Sequence, residues 1–282
     1  MANYLVIGKN GTLGKEFEKL LEKQAICLDS SELDITDVSA VHEKINSLMP
    51  EVVINCAAYN AVDKAEVESE KAELINGTAV GILADACEKV GATLVHFSTN
   101  YVFDGTKEEG YVEADTTNPQ SHYGQSKLLG EVAALKNCSR TYVIRTAWLY
   151  GDQGNSKTSK VNYINRILQL AEEKEFLEGV SDQFGQPTWT KDLAKFTLDL
   201  IQNTKPFGIY HGTNSGSATW YSWAKEILKL KGLEKEVREN KMANFHVSGH
   251  TAPRPQYGIL LNTKTTLMRP WQEALAGYLN SK

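Results

Sequence analysis

The strongest constraint on the fold lies in the first strand and the turn that follows it. Tyr4-Leu5-Val6-Ile7 is a short apolar run, and it closes on Gly8-Lys9-Asn10-Gly11-Thr12-Leu13-Gly14. An amphipathic segment continues to Lys23, with Leu13, Phe17, Leu20 and Leu21 on one side. The order is strand, Gly-rich turn, helix. Glycines in such a turn let the backbone bend sharply, approach a pyrophosphate and pack helix against strand, while the helix N-terminus offers N–H groups to the phosphate. The spacing is G-x-x-G-x-x-G rather than the simplest G-x-G-x-x-G, and a plain βα turn with convenient glycines is the competing reading. The flanking elements and the position at the start of the chain favour a dinucleotide, held by Gly8, Asn10, Gly11, Thr12, Leu13 and Gly14.

A second apolar run, Ala25-Ile26-Cys27-Leu28, ends in Asp29, about 20 residues past the first glycine, where an acid commonly binds the adenosine ribose 2′-OH. An acid there favours NADH over NADPH. Ser30 and Ser31 pull the other way, because hydroxyls accommodate a phosphate. Asp37 reads as the N-cap of a helix over Val38–Leu48. A third strand, Val52–Cys56, is followed by Ala57-Ala58-Tyr59, small residues at the strand end where ligands bind in open α/β sheets. Asp63-Lys64-Ala65-Glu66 reads as a solvated helix start, and 76–90 as a further helix.

Thr93–Phe97 is another strand, and it runs into Ser98-Thr99-Asn100-Tyr101. A hydroxyl at that end points into the cofactor crevice, so Thr99 is placed to hydrogen-bond a substrate carbonyl. A surface loop is the bland alternative. Tyr123 and Lys127 stand four apart on a helix-forming stretch and so share a face. A phenol has an ordinary pKa near ~10. A fixed cation beside it lowers that value, and the Tyr can then exchange a proton with a carbonyl oxygen. Taken alone, the pair reads equally as a half-buried Tyr beside a solvated Lys.

Strand and helix alternate up to Tyr142–Arg145, which predicts an α/β fold: a Rossmann-like doubly wound parallel sheet over residues 1–150. The rhythm then breaks. Residues 151–282 read mainly as a smaller substrate-binding lobe, with segments near 180–212 returning to the first domain. This half holds a polar loop at Gly154-Asn155-Ser156, helices over Val161–Glu173, Asp192–Gln202 and Thr219–Lys231, a short strand at Gly208–Gly212 and a last helix from Pro270. The net charge of −5, with no basic stripe, argues against nucleic acid as a partner. No apolar run approaches the ~20 residues of a membrane span, so no membrane partner is expected. Cys27, Cys56, Cys87 and Cys138 lack metal-ligand spacing and read as thiols of a reducing cytosol, so the expected location is cytoplasmic and no metal is expected.

Longer strings carry a resemblance. The Gly-rich opening, Thr99 and Tyr123-x-x-x-Lys127 together are similar to an extended short-chain dehydrogenase/reductase. The strings CAAYNAVDKAE, STNYVFDG, YGQSKLLGE, RTAWLYG, DQFGQPTWTKDLA and ATWYSWAKEI resemble those of dTDP-4-dehydrorhamnose reductases. The resemblance implies reduction of the C4 ketone of dTDP-4-dehydro-L-rhamnose for surface polysaccharide synthesis, with NADPH as cofactor and NADH as the alternative. It implies Tyr123 as proton donor, Lys127 as ribose ligand and Tyr modulator, and Thr99 as the group polarising the carbonyl. Gly8, Gly11 and Gly14 would wrap the pyrophosphate, and Asp34, Ile35, Ala57, Ala58 and Tyr59 would line the adenine and ribose path. On the substrate side it implies Asn100, Tyr101, Trp148 and Arg254, with Arg254 near the diphosphate, and leaves a homodimer open. The His211 and Trp220 region reads as structural. Asn100 stands where the family usually has Asp, Asn60 where it has Thr, and Gly258 where it has Ser. Two alternatives share the fold: a silent cofactor-binding regulatory subunit resembling the methionine adenosyltransferase β subunit, and a nucleotide-sugar epimerase or dehydratase.

Overall fold

The computed structural model describes residues 3–154, 162–247 and 251–282. Asn155, Ser156 and Val161, read from the sequence as loop and helix start, lie outside the described residues. Strand β1 (Tyr4–Ile7) runs between β2 (Ala25–Leu28) and β3 (Val52–Asn55). β4 (Thr93–Thr99), β5 (Thr141–Thr146) and the edge strand Gly208–His211 continue beyond β3 to complete a six-stranded sheet. Every pairing in it is parallel. The strand order reverses at β1, so the turns leaving β1 and β3 diverge and open a crevice at their C-terminal ends.

Alternation along the strands explains why both faces are covered. Leu5, Ile7, Val53, Leu94 and Val143 meet Val41 and Ile45 of α2 (Val38–Leu48) and Leu83 of the helix Ala79–Val90. Val6, Ile54, Val95 and Ile144 meet Phe17 of α1 (Thr12–Leu21) and Leu193 and Phe196 of the helix Thr190–Gln202. The Asp37 cap forms as its position predicts, accepting from the Ala40 N–H at 3.0 Å.

A second core begins where the alternation stops. Tyr150, Ile164, Ile167, Trp223, Ile227, Trp271, Leu275 and Tyr278 pack together. Short strands bind this lobe: Leu177–Val180 pairs with Val237–Asn240, Phe184–Gly185 with Ala218–Thr219, and Leu149–Tyr150 with Thr188–Trp189. The chain rejoins the large sheet with the helix Thr190–Gln202 and the edge strand. Between sheet and helices lies a buried ion pair: Arg145 of β5 meets Glu131 of the helix His122–Asn137 through Nε–Oε1 at 2.9 Å and Nη2–Oε2 at 2.7 Å.

Candidate active site

The end of β4 and the first turns of the helix His122–Asn137 form the centre of the site. Thr99 closes β4, and its Oγ1 accepts the Tyr101 N–H at 3.2 Å, which starts the turn Asn100–Val102. Ser121 caps the helix, accepting from the Gly124 N–H at 3.1 Å. Helix and turn touch without clearance: a Cβ on Gly124 would stand 2.3 Å from the Tyr101 carbonyl oxygen. The Tyr101 ring meets the Tyr123 ring edge-on at 5.4 Å.

Tyr123 and Lys127 are both buried. Burial pushes the Tyr123 phenol well above its ordinary range, and a hydrogen bond from the Thr99 hydroxyl works against that rise. Its O–H donates to Asn60 Oδ1 at 3.4 Å. Lys127 Nζ donates to the Phe97 carbonyl at 2.6 Å. Burial draws the Lys127 ammonium down to about 8, while the Glu131 carboxylate pulls it back up. The lowering of Tyr123 by Lys127 expected from the i, i+4 spacing is therefore absent, because desolvation dominates both groups and the ammonium faces a carbonyl. The Tyr123 phenol therefore keeps its proton at neutral pH in this state of the site.

On the cofactor side, Gly8 has φ +89°, and a Cβ there would stand 2.8 Å from the Ala57 amide nitrogen. A Cβ on Gly14 would stand 2.3 Å from the Gly8 carbonyl oxygen. Turn, helix and β3 loop thus close on one another only because these residues lack side chains. Gly11 caps α1 without a side-chain acceptor, and the first turn carries no acid. First-turn amides have no partner inside a helix, so this terminus fits an anion such as a pyrophosphate.

Asp29 accepts from Asn10 Nδ2 at 2.7 Å, from the Ser31 N–H at 2.8 Å and from Ser31 Oγ at 2.6 Å. These bonds, Ser31's first, hold its carboxyl below the usual range. The Ser31 hydroxyl, read as able to accommodate a phosphate, is spent on Asp29. Lys9 is paired with Glu32 at 2.5 Å. Asp34 accepts from the Thr36 N–H and hydroxyl, Ile35 is buried, and the Ala57 N–H donates to Asn55 Oδ1 at 3.1 Å.

One residue of this centre escaped the sequence reading. Asn76 is buried in a π-turn, Leu74–Thr78. Its Oδ1 accepts the Tyr59 N–H at 2.8 Å, and its Nδ2 donates to the Tyr59 carbonyl and to Ser126 Oγ, both at 3.0 Å. Ser126 Oγ donates in turn to the Tyr123 carbonyl at 2.8 Å. One amide thereby joins the loop after β3 to the helix of Tyr123. The available signal was Asn76-Gly77 interrupting an apolar helical pattern.

On the substrate side, Trp148 has φ +42°, a strained conformation for a bulky residue. Its ring stacks on Trp220 at 4.0 Å, so the Trp220 read as structural shares one aromatic stack with the Trp148 read as a ligand wall. His211 is buried, with Nδ1 3.0 Å from the Leu261 carbonyl oxygen. Arg254 pairs with Asp63 at 2.8 Å, and so the Asp63 read as a solvated helix start is the ion-pair partner of the arginine expected near the diphosphate. Asn100 is buried and donates from Nδ2 to the Gly258 carbonyl at 2.9 Å.

Residues 2–282 match the family model described as "RmlD substrate binding domain". The chain is 39% identical to a dTDP-4-dehydrorhamnose reductase of Escherichia coli over 99% of this chain and 97% of that one. It is 37% identical to a spore coat polysaccharide biosynthesis protein of Bacillus subtilis, over 100% and 98%. Among solved structures, a dTDP-4-dehydrorhamnose reductase of Clostridium acetobutylicum matches at TM-score 0.92 and 39% identity, covering 99% of this chain and 98% of that one. A dTDP-4-dehydrorhamnose reductase of Bacillus anthracis, solved with NADP, matches at TM-score 0.93 and 34% identity over the whole of both chains.

Proposed function

The chain belongs to the dTDP-4-dehydrorhamnose reductase family, and on that premise we propose that it reduces the C4 ketone of dTDP-4-dehydro-L-rhamnose to dTDP-L-rhamnose for cell-surface polysaccharide. It is an oxidoreductase, and its reductant is NADPH. The observation that carries the reaction is the burial of Tyr123 and Lys127, one turn apart on their helix, at the end of β4 where Thr99 stands. Bound in the crevice, the nicotinamide supplies the hydride. The chain supplies position and a proton. Thr99 hydrogen-bonds the ketone oxygen, and Tyr123 delivers its proton as negative charge develops there. Two donors aimed at one oxygen stabilise that charge without reorganising. Lys127 holds the nicotinamide ribose, α1 and the three glycines hold the pyrophosphate, and Asp29 takes the adenosine ribose. The Trp148–Trp220 stack and Arg254 with Asp63 form the nucleotide-sugar side. Four free cysteines support a cytoplasmic location.

The test is direct. Purified protein, dTDP-4-dehydro-L-rhamnose and NADPH should lose reduced-cofactor absorbance and yield dTDP-L-rhamnose. Tyr123→Phe should lower kcat by about 10²- to 10⁴-fold while binding NADPH normally. Absence of turnover by the unaltered protein sinks the assignment.

A further inference from the structure

Residues 252–261 form a strap along the catalytic end of the sheet, fastened to several elements. Asp63 takes the Ala252 N–H at 3.2 Å, the Gly105 carbonyl takes the Tyr257 N–H at 3.0 Å, and the Phe184 carbonyl takes the Gly258 N–H at 2.8 Å. The Tyr111 N–H donates to the Ile259 carbonyl at 2.8 Å, and Gln186 Oε1 takes the Leu260 N–H at 2.7 Å.

One fastening differs, because it leads into the site. The Gly258 carbonyl can only accept, so the group of Asn100 that faces it at 2.9 Å must be the NH₂. Asn100 Oδ1 is then left facing Thr99 Oγ1 at 3.3 Å, and Thr99 must be the donor. The Thr99 oxygen already accepts the Tyr101 N–H, and its single proton goes to Asn100 Oδ1. Gly258 fixes the amide, and the amide decides which way the hydroxyl points. A Cβ at residue 258 would stand 2.2 Å from Asn100 Nδ2, so a larger residue there displaces the amide. An aspartate at 100 would set an oxygen against the Gly258 carbonyl oxygen, acceptor against acceptor.

Resting on the reductase reading, we propose that Asn100 is a positioning residue, a latch through which the seated strap fixes the Thr99 hydroxyl: Asn100 Oδ1 holds its proton in the resting site, and the ketone oxygen takes that hydrogen bond over when the keto-sugar binds. The latch works through the hydrogen bond and not through packing.

Asn100→Asp, Asn100→Ala, Gly258→Ala and the double variant Asn100→Ala/Gly258→Ala separate these. For each, kcat and KM for dTDP-4-dehydro-L-rhamnose, the NADPH dissociation constant by fluorescence, and hydrogen exchange at Tyr257 and Gly258 are measured. All four variants should lose about ten- to a hundredfold in kcat, bind NADPH within about twofold of the unaltered protein, and exchange faster in the strap. The double variant removes the clash without restoring the bond, so it stays slow. Return of its kcat to the unaltered value overturns the latch in favour of packing. Unchanged kcat and exchange in Asn100→Asp overturn it outright. An unaltered protein that reduces no keto-sugar sinks the functional reading instead, and strap exchange in the variants still decides the latch.

Discussion

Lys127 titrates close to neutral pH because it is buried with a backbone carbonyl as its hydrogen-bond acceptor and a single carboxylate drawing its pKa upward. The folded chain releases its proton near pH 8, whereas the unfolded chain holds it until ~10.4. Since the folded value lies below the unfolded one, the charge costs stability below about pH 8, and the fold gains from this group as pH rises between the two values. Cofactor binding runs the other way. A ribose held by the ammonium favours the charged form, so NADPH affinity should fall as pH rises through about 8. Fluorescence titration of NADPH across that range checks it, and Lys127→Met should flatten the decline. Asp29 sets a second residue-scale expectation. Its carboxylate is fixed by Asn10 and Ser31, with Lys9 committed to Glu32, so a 2′-phosphate meets negative charge. Asp29→Ser should raise the ratio of kcat/KM for NADPH to that for NADH by about tenfold, as relief of a like-charge contact predicts. An unchanged ratio means the ribose lies elsewhere. Both residues were legible as positions in the sequence. Their electrostatics were not, because i, i+4 spacing says nothing of what a side chain faces once desolvated.

At the scale of elements, the π-turn Leu74–Thr78 is the piece that propensity could not supply. An apolar helical pattern runs through it, and only Asn76-Gly77 breaks the rule. The extra residue of the turn turns the Asn76 amide onto Tyr59, where it satisfies both an N–H and a C=O of a loop that has no strand partner. The strands, by contrast, were legible because burial on both faces leaves near-continuous apolar runs, and the Asp37 cap was legible because a short carboxylate before a helix has few other uses. The beginning of the second core was legible only as a break in rhythm, since its strands are two to four residues long and their partners are distant in sequence. Asn76→Ala should destabilise the chain by about 1–3 kcal/mol, the cost of leaving buried polar groups unpaired, and should weaken NADPH binding as the loop after β3 loosens. Urea midpoints with the same slope, read beside NADPH titrations, check both. A stability loss with unaltered affinity would mean that the loop holds its shape without the clamp.

At the scale of the whole molecule, the sheet and the helix of Tyr123 meet through Arg145 and Glu131, which no local pattern announces. Their separation in sequence is modest, but neither side chain reveals from spacing alone that it leaves water. Arg145 also lies over the Phe103 ring at 5.0 Å, so the guanidinium is enclosed on several sides. Removing one member of such a pair strands the other, at a typical cost of 3–5 kcal/mol, whereas replacing both with apolar groups of similar size costs far less. Glu131→Gln and Arg145→Met should therefore each lower the urea midpoint strongly, and Glu131→Leu/Arg145→Met should recover most of the loss. The two single variants part company in the site. Glu131 is the charge that raises Lys127 against the pull of burial, so Glu131→Gln should move the Lys127 transition below pH 8. Arg145→Met leaves the Glu131 carboxylate without its cation and should move that transition upward. Equal losses of stability with opposite shifts of the NADPH-binding transition would tie the ion pair to both the fold and the charge of the site. A common direction of shift would mean that Lys127 responds to loosened packing and not to the Glu131 charge.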